Sequence, residues 1–268
     1  MKGGFDAMTI NDAIEFLYAN ESSSSYGVGM ASSFGSTSRS GNSENRNIIT
    51  SKNSFNNKFD LHGVTYDDAL SLDIIIYNLD GTYIDSAKER SLKKWLLKNN
   101  YNWLQFDQPD LDNLQYHCIA NSCEMLDVGS YSGGMKISFV CSEPWAFSEL
   151  KKKTYTTVSG ALNFSLNSVI DFDEYIIYPQ IEINCLTSGT CSVKNNTTNE
   201  TMTFTGCSIG ETIMIDCASD KLKTSLGTVI IDRWNKNGVS LIEGNNSFTL
   251  TGGFKLIMQY RDPIRVGA

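Results

Sequence analysis

Residues 205–216 read TGCSIGETIMID. Within them, Gly206-Cys207-Ser208-Ile209-Gly210 fits G-x-S-x-G, the nucleophile elbow of serine hydrolases. An elbow needs a strand before the serine and a helix after it, so that the hydroxyl is exposed and the helix N-terminus supports the oxyanion hole. Here Glu211 is followed by Thr212, Ile213, Met214 and Ile215, a β-branched run that favours a strand. Met202 to Thr205, before the turn, also reads as a strand. The stretch therefore predicts strand–turn–strand, with Gly206 and Gly210 as turn glycines. An elbow hydrolase also places its acid and then its histidine after the serine, whereas His62 and His117 both precede Ser208. No catalytic residue is assigned.

Working outward, the second half of the chain shows strand patterns about every ten residues, the rhythm of a β-sandwich. The expected strands are Tyr155 to Leu166, Pro179 to Cys185, Cys191 to Lys194, Met202 to Thr205, Thr212 to Asp216, Thr228 to Asp232, Ser247 to Thr251 and Lys255 to Tyr260. Lys151 to Lys153 is a basic, linker-like run, and a domain boundary is expected there, giving domains 1–150 and 151–268.

The first half differs. Ile10, Ala13, Ile14 and Leu17 recur at helical spacing, although Phe16 and Tyr18 also suit a strand. Residues 21–57 are rich in Ser, Asn and Gly and cannot bury enough apolar surface to fold alone. They read as a mobile loop or as an arm ordered by a partner. Ala69 to Asn78 is a dense apolar strand that stops at the turn Asp80-Gly81. One helix is expected, Ala87 to Lys98, opened by a capping box of Ser86 and Glu89 and ended by Asn99-Asn100. Leu92, Trp95 and Leu96 form its apolar face. Lys88, Arg90, Lys93, Lys94 and Lys98 crowd the rest, either as a solvated face or as a candidate subunit interface against an acidic neighbour. Further strands follow at Trp103 to Phe106, Gln115 to Cys123 and Gly134 to Cys141. Asp107, Asp110 and Asp112 around Pro109 lack the glycine and distal glutamate of a calcium loop.

The fold class is thus mainly β with one helix. Composition agrees: 41% of the 268 residues are hydrophobic, enough for a substantial core, and a net charge of −8 disfavours nucleic acid or an anionic membrane as partner. No apolar run reaches the ~20 residues needed to span a bilayer. The first residues, MKGGFDAMTINDAIEF, lack the apolar stretch of a signal peptide, so synthesis in the cytoplasm is expected. The seven cysteines include no C-x-x-C pair, which predicts free buried thiols and no metal site. No dinucleotide loop, P-loop or H-E-x-x-H is present, and no cofactor is expected. Trp145 and Trp234 are candidate sugar-stacking rings, with burial in a core the alternative.

The order of these pieces carries a family resemblance. WLLKNNYNWLQFDQPD leads from the helix into a strand, and GGMKISFVCSEPWAF closes the first half. Trp95, Leu96, Leu104, Phe106, Asp107 and Pro109, then Phe139, Cys141, Pro144 and Trp145, resemble the N-terminal domain of phage distal tail (Dit) proteins. In the second half, YPQIEI, GETIMID, the Leu241/Gly244/Asn246 pattern and LIMQYRD resemble that family's C-terminal domain. The likeness runs from about residue 69 to residue 268. Residues 21–57 stand outside it, as a lineage-specific insertion would.

The resemblance implies a structural virion protein and no enzyme. It implies a β-sandwich-like N-terminal domain that builds a hexameric ring and docks on the tail tube, and a galectin-like C-terminal sandwich that faces outward. The implied partners are further copies of the chain, the tail tube protein, the tail-tip hub protein and receptor-binding proteins, with DNA able to pass through the ring. The implied location is the virion tail. The competing class is a carbohydrate-binding adhesin module of a phage tail or a bacterial surface.

Overall fold

The computed structural model describes residues 15–30, 46–52, 55–66, 69–107, 113–128, 131–173 and 175–265. The chain divides into two compact units, the first running to Phe147 and the second from Ser148 to Ile264.

The first unit contains strands β1 (Phe16–Tyr18), β2 (Glu21–Ser22), β3 (Val28–Met30), β4 (Arg46–Lys52), β5 (Phe59–Tyr66) and β6 (Ser71–Asn78). Helix α1 (Ser86–Leu96) follows, then β7 (Asn102–Phe106), β8 (Leu114–Val128), β9 (Tyr131–Cys141) and β10 (Ala146–Ser148). The central path of the sheet is β2-β1-β7-β8-β9-β6-β3, antiparallel throughout. Alternation places Leu72, Ile74 and Ile76 of β6 and Met135, Ile137 and Phe139 of β9 on the buried face. At Gly134 the two strands approach so closely that a Cβ would lie 2.8 Å from the Ile76 carbonyl oxygen. After β6, the buried Asn78 donates to the Thr82 and Tyr83 carbonyls and so fixes the Asp80-Gly81 turn.

Helix α1 covers the core with Leu92, Trp95 and Leu96, the apolar face expected from sequence. Trp95 stacks on Phe16 at 5.5 Å and on Tyr26 at 4.3 Å, and its Nε1 donates to the Tyr18 carbonyl at 3.1 Å. The cap differs from expectation. Asp85 is the N-cap and accepts from the Lys88 amide at 2.7 Å, so Ser86 is the first helical residue. Either residue can cap, and the carboxylate adds a favourable charge at the helix N-terminus. Glu89 pairs with Lys93 instead. The helix ends at Leu96 with Leu97 as its C-cap, and neither Asn99 nor Asn100 takes a left-handed conformation.

The Ser/Asn-rich segment is also corrected. Residues 21–30 are built into the core of the first unit. Ser23 is buried and accepts from the Phe16 amide at 3.1 Å, Val28 and Met30 are buried, and β3 pairs with β6. The aromatic Tyr26 and a few apolar residues suffice, because long-range partners supply the rest of the core. Residues 46–52 form β4, which pairs with β5, a strand not foreseen. Of the two readings of the first stretch, the strand holds at Phe16–Tyr18, which form β1; Ile10, Ala13 and Ile14 lie outside the described residues, as do Asp110 and Asp112.

The second unit contains β11 (Lys151–Thr157), β12 (Ala161–Ser168), β13 (Gln180–Cys185), β14 (Gly189–Asn195), β15 (Glu200–Cys207) and β16 (Thr212–Asp216). It continues with β17 (Lys221–Thr224), β18 (Gly244–Thr251), β19 (Phe254–Tyr260) and β20 (Pro263–Ile264). Two antiparallel sheets form, β11-β19-β13-β16-β17 and β12-β18-β14-β15. Their apolar faces, with Ile183, Ile213, Leu256 and Met258 on one and Val193, Met202, Phe204 and Phe248 on the other, are buried. Asn246, in the Leu241/Gly244/Asn246 pattern, is buried as well. It donates to the Ile242 carbonyl at 2.8 Å and accepts from the Ile242 amide at 3.0 Å, closing the loop before β18.

Three expectations in this unit fail. Lys151 to Lys153 is not a linker but the start of β11, an edge strand whose exposed lysines discourage further pairing. Tyr155 to Leu166 is two strands, because Gly160 turns the chain at a φ of 80°. Thr228 to Asp232 is not a strand. A 3-10 turn at Ile231–Arg233 replaces it and brings Arg233 to a buried acid. The short strand β17 was not anticipated.

Candidate functional site

The turn in TGCSIGETIMID joins β15 to β16, with Gly210 at φ 79°; Gly206, expected in the turn, instead lies in β15 at φ 63°, where the pairing with β14 is irregular. No helix follows the serine, so the elbow geometry is absent here. Glu211 organises this turn. Its carboxylate accepts from the Ser208 amide at 3.0 Å and from Thr224 Oγ1 at 2.6 Å, and it forms an ion pair with Arg233. Arg233 also donates to the Gly206 carbonyl at 2.8 Å. The Arg233 guanidinium holds the Glu211 carboxyl well below the usual range, at about 2.

Sequence reasoning missed one pairing. Ser142 Oγ lies 2.9 Å from His117 Nδ1, and it also donates to the Glu143 carboxylate. In a catalytic triad the carboxylate orients the imidazole; here it binds the serine. His117 packs at 4.7 Å from the Trp103 ring, and the pair reads as a structural contact between β8 and the end of β9.

The five basic residues expected on the helix do not act alike; Lys88, Arg90, Lys93 and Lys94 lie in α1, and Lys98 lies beyond its end. Lys93 pairs with Glu89 at 2.6 Å and Lys98 approaches Glu21 at 3.9 Å. The charge of Lys88 acts on Asp80. Of these five, only Arg90 and Lys94 are both exposed and without an ion pair among the described residues.

Several apolar side chains of the first unit are exposed on the β4–β5 ribbon. Among the described residues it pairs with no other strand. Ile48, Phe59 and Leu61 are 60%, 68% and 64% exposed, and Ile49 and Val64 are also open. Scattered apolar residues at a surface are ordinary, but the pairs Ile48/Val64, Thr50/Leu61 and Lys52/Phe59 concentrate them on one ribbon, with Ile49 on the opposite face to Ile48, and such concentration marks an interaction site.

Of the candidate sugar-stacking rings, Trp234 is buried against Phe204, and its Nε1 donates to the Asn237 carbonyl at 2.9 Å. Trp145 is half-buried and meets Tyr66 edge-on. The outer face of the five-stranded sheet carries a depression of about 280 Å³ lined by Glu182, Met214, Asp216 and Lys223, with no aromatic ring. Three cysteines remote in sequence, Cys185, Cys191 and Cys207, converge in the second unit, their sulfurs all within 4.8 Å of one another. Spacing rules overlooked them because each ligand comes from a different strand. No helix among the described residues is long and apolar enough to cross a membrane.

Two family models cover the chain almost end to end. The model described as a phage tail protein N-terminal domain matches residues 11–143, and that described as a phage tail C-terminal domain matches residues 145–260. The chain belongs to this family of phage tail proteins. No curated protein sequence matches it. Among solved structures, this tail protein is similar to the SPP1 Dit protein, described as a paradigm of the hub adsorption apparatus in phages that infect Gram-positive bacteria. The TM-score is 0.64 at 13% identity, over 93% of this chain and 99% of that one. It is also similar to a chain of the phage p2 baseplate in its activated conformation, with a TM-score of 0.59 at 9% identity, over 94% of this chain and 99% of that one. The tail protein therefore has the Dit fold through both of its units. The first unit's match takes in the segment 21–57, which sequence reading had set outside the resemblance.

Proposed function

We propose that this tail protein is the hub of its tail, a closed hexameric ring between the tail tube and the tail tip. The first unit builds the ring and docks on the tube. The second unit is an outward, galectin-like sandwich that carries receptor-binding proteins, and the tail-tip hub protein sits distal to the ring. The observation that carries this reading is the β4–β5 ribbon. An isolated two-stranded ribbon is marginal in water, and one with exposed apolar side chains is stabilised by burial on a neighbour. A ring supplies that neighbour through head-to-tail contacts. Arg90 and Lys94 supply unpaired positive charge for an acidic neighbour in a chain of net charge −8.

The test is the mass of the purified full-length chain by native mass spectrometry with negative-stain imaging. The reading expects ring-shaped hexamers. A monomer at all concentrations, also in the presence of the tube protein, would refute it.

The adhesin reading rests on the depression between Glu182 and Lys223, which offers polar side chains but no stacking ring. It predicts saturable glycan binding that is lost on Glu182→Ala, and the hub reading predicts none.

A further inference from the structure

Cys185 ends β13 in the five-stranded sheet, whereas Cys191 lies in β14 and Cys207 ends β15 in the four-stranded sheet. All three are buried, and their sulfurs lie within 4.8 Å of one another. The Cys185 and Cys191 sulfurs are 3.9 Å apart. A tetrahedral zinc ion with Zn–S bonds of about 2.3 Å holds its sulfurs about 3.8 Å apart, so that edge already has the length a bound ion requires. The other two edges are no longer than 4.8 Å, within about an ångström of that length.

Strand pairing and backbone hydrogen bonds hold the three positions: Cys191 pairs opposite Phe204 and Cys207 opposite Gly189 between β14 and β15. The Cys185 amide donates to the Glu211 carbonyl at 2.8 Å, and the Gly210 amide donates to the Cys185 carbonyl at 2.9 Å. Arg233 and its ion-pair partner Glu211 both act on Cys207 and Cys185, with opposite signs, and a bound cation would add the positive charge that three thiolates need. Cys217, also buried in this unit, is outside the cluster and serves as an internal control.

We propose that Cys185, Cys191 and Cys207 form a three-thiolate site for one thiophilic metal ion that clips the two sheets of the second unit together. Soft thiolates select ions such as Zn²⁺ or Cu⁺ over hard cations. Binding deprotonates the thiols, so uptake is stronger at higher pH and stabilises the folded sandwich by mass action.

The test uses the full chain, reduced and loaded with Co²⁺ and then Zn²⁺. A sulfur-to-cobalt charge-transfer band saturating at one ion per chain, displaced by Zn²⁺, is expected. Cys207→Ser should lose the band and Cys217→Ser should keep it. X-ray absorption of the zinc-loaded natural protein needs no variant: three sulfurs at about 2.3 Å are expected. A folded, reduced chain that gives no band, a zinc shell of nitrogen and oxygen only, or an undiminished band in folded Cys207→Ser overturns the proposal. So does a Cys185–Cys191 disulfide whose reduction leaves a chain that takes up no ion. The ring assay above is unaffected by any of these outcomes, so the two readings stand or fall separately.

Discussion

Glu211 shows how much of the account rests on single side chains. A buried carboxylate costs several kcal/mol to desolvate unless it is paired, and Arg233, Thr224 and the Ser208 amide together provide that pairing. The carboxyl is held at about 2, against an ordinary value of 4.5. Its contribution is therefore complete above about pH 4.5 and is lost as the pH falls towards 2. Glu211→Gln should lower stability at pH 7 by about 1.5–3 kcal/mol, and it should flatten the acid side of the curve of Tm against pH. An unchanged Tm at pH 7 would show that the pair contributes nothing. Trp95, fully buried between Phe16 and Tyr26, should cost about 3–5 kcal/mol when replaced by alanine, measured by urea unfolding of the first unit's signal. Ser208→Ala, by contrast, should leave folding and assembly unchanged, because only the Ser208 backbone holds the turn.

Among the elements, what could be read from sequence follows what is local. Strands with clean alternation, such as β6, β13 and β16, and the apolar face of α1 were legible because one buried face writes a period into the chain. The Ser/Asn-rich segment was not, since β3 and the turn at Ser23 are held by β6 and Trp95, partners remote in sequence. Lys151 to Lys153 misled for the opposite reason: edge strands carry the charges that linkers carry. The three cysteines were invisible to spacing rules, as was the Ser142–His117 contact, because the sheets bring them together. The β4–β5 ribbon is the element on which assembly is expected to turn. Replacing Ile48 and Leu61 together by serine should leave the far-ultraviolet dichroism and Tm of the isolated chain within error, while weakening self-association at least tenfold by sedimentation. If self-association is unchanged, the ribbon is not the contact.

At the scale of the whole molecule, the two family matches and the two structural likenesses run through both units, so one architecture is shared along the chain despite identities of 13% and 9%. Within this chain the architecture rests on strand alternation and on buried polar anchors such as Asn246 and Glu211. Under the proposed function, the surface this chain offers to copies of itself decides what it does. Imaging the purified full-length protein with its mass measured in the same sample is the most direct test. The account predicts closed rings of six chains. A population of monomers that stays monomeric when the tail tube protein is added would contradict it.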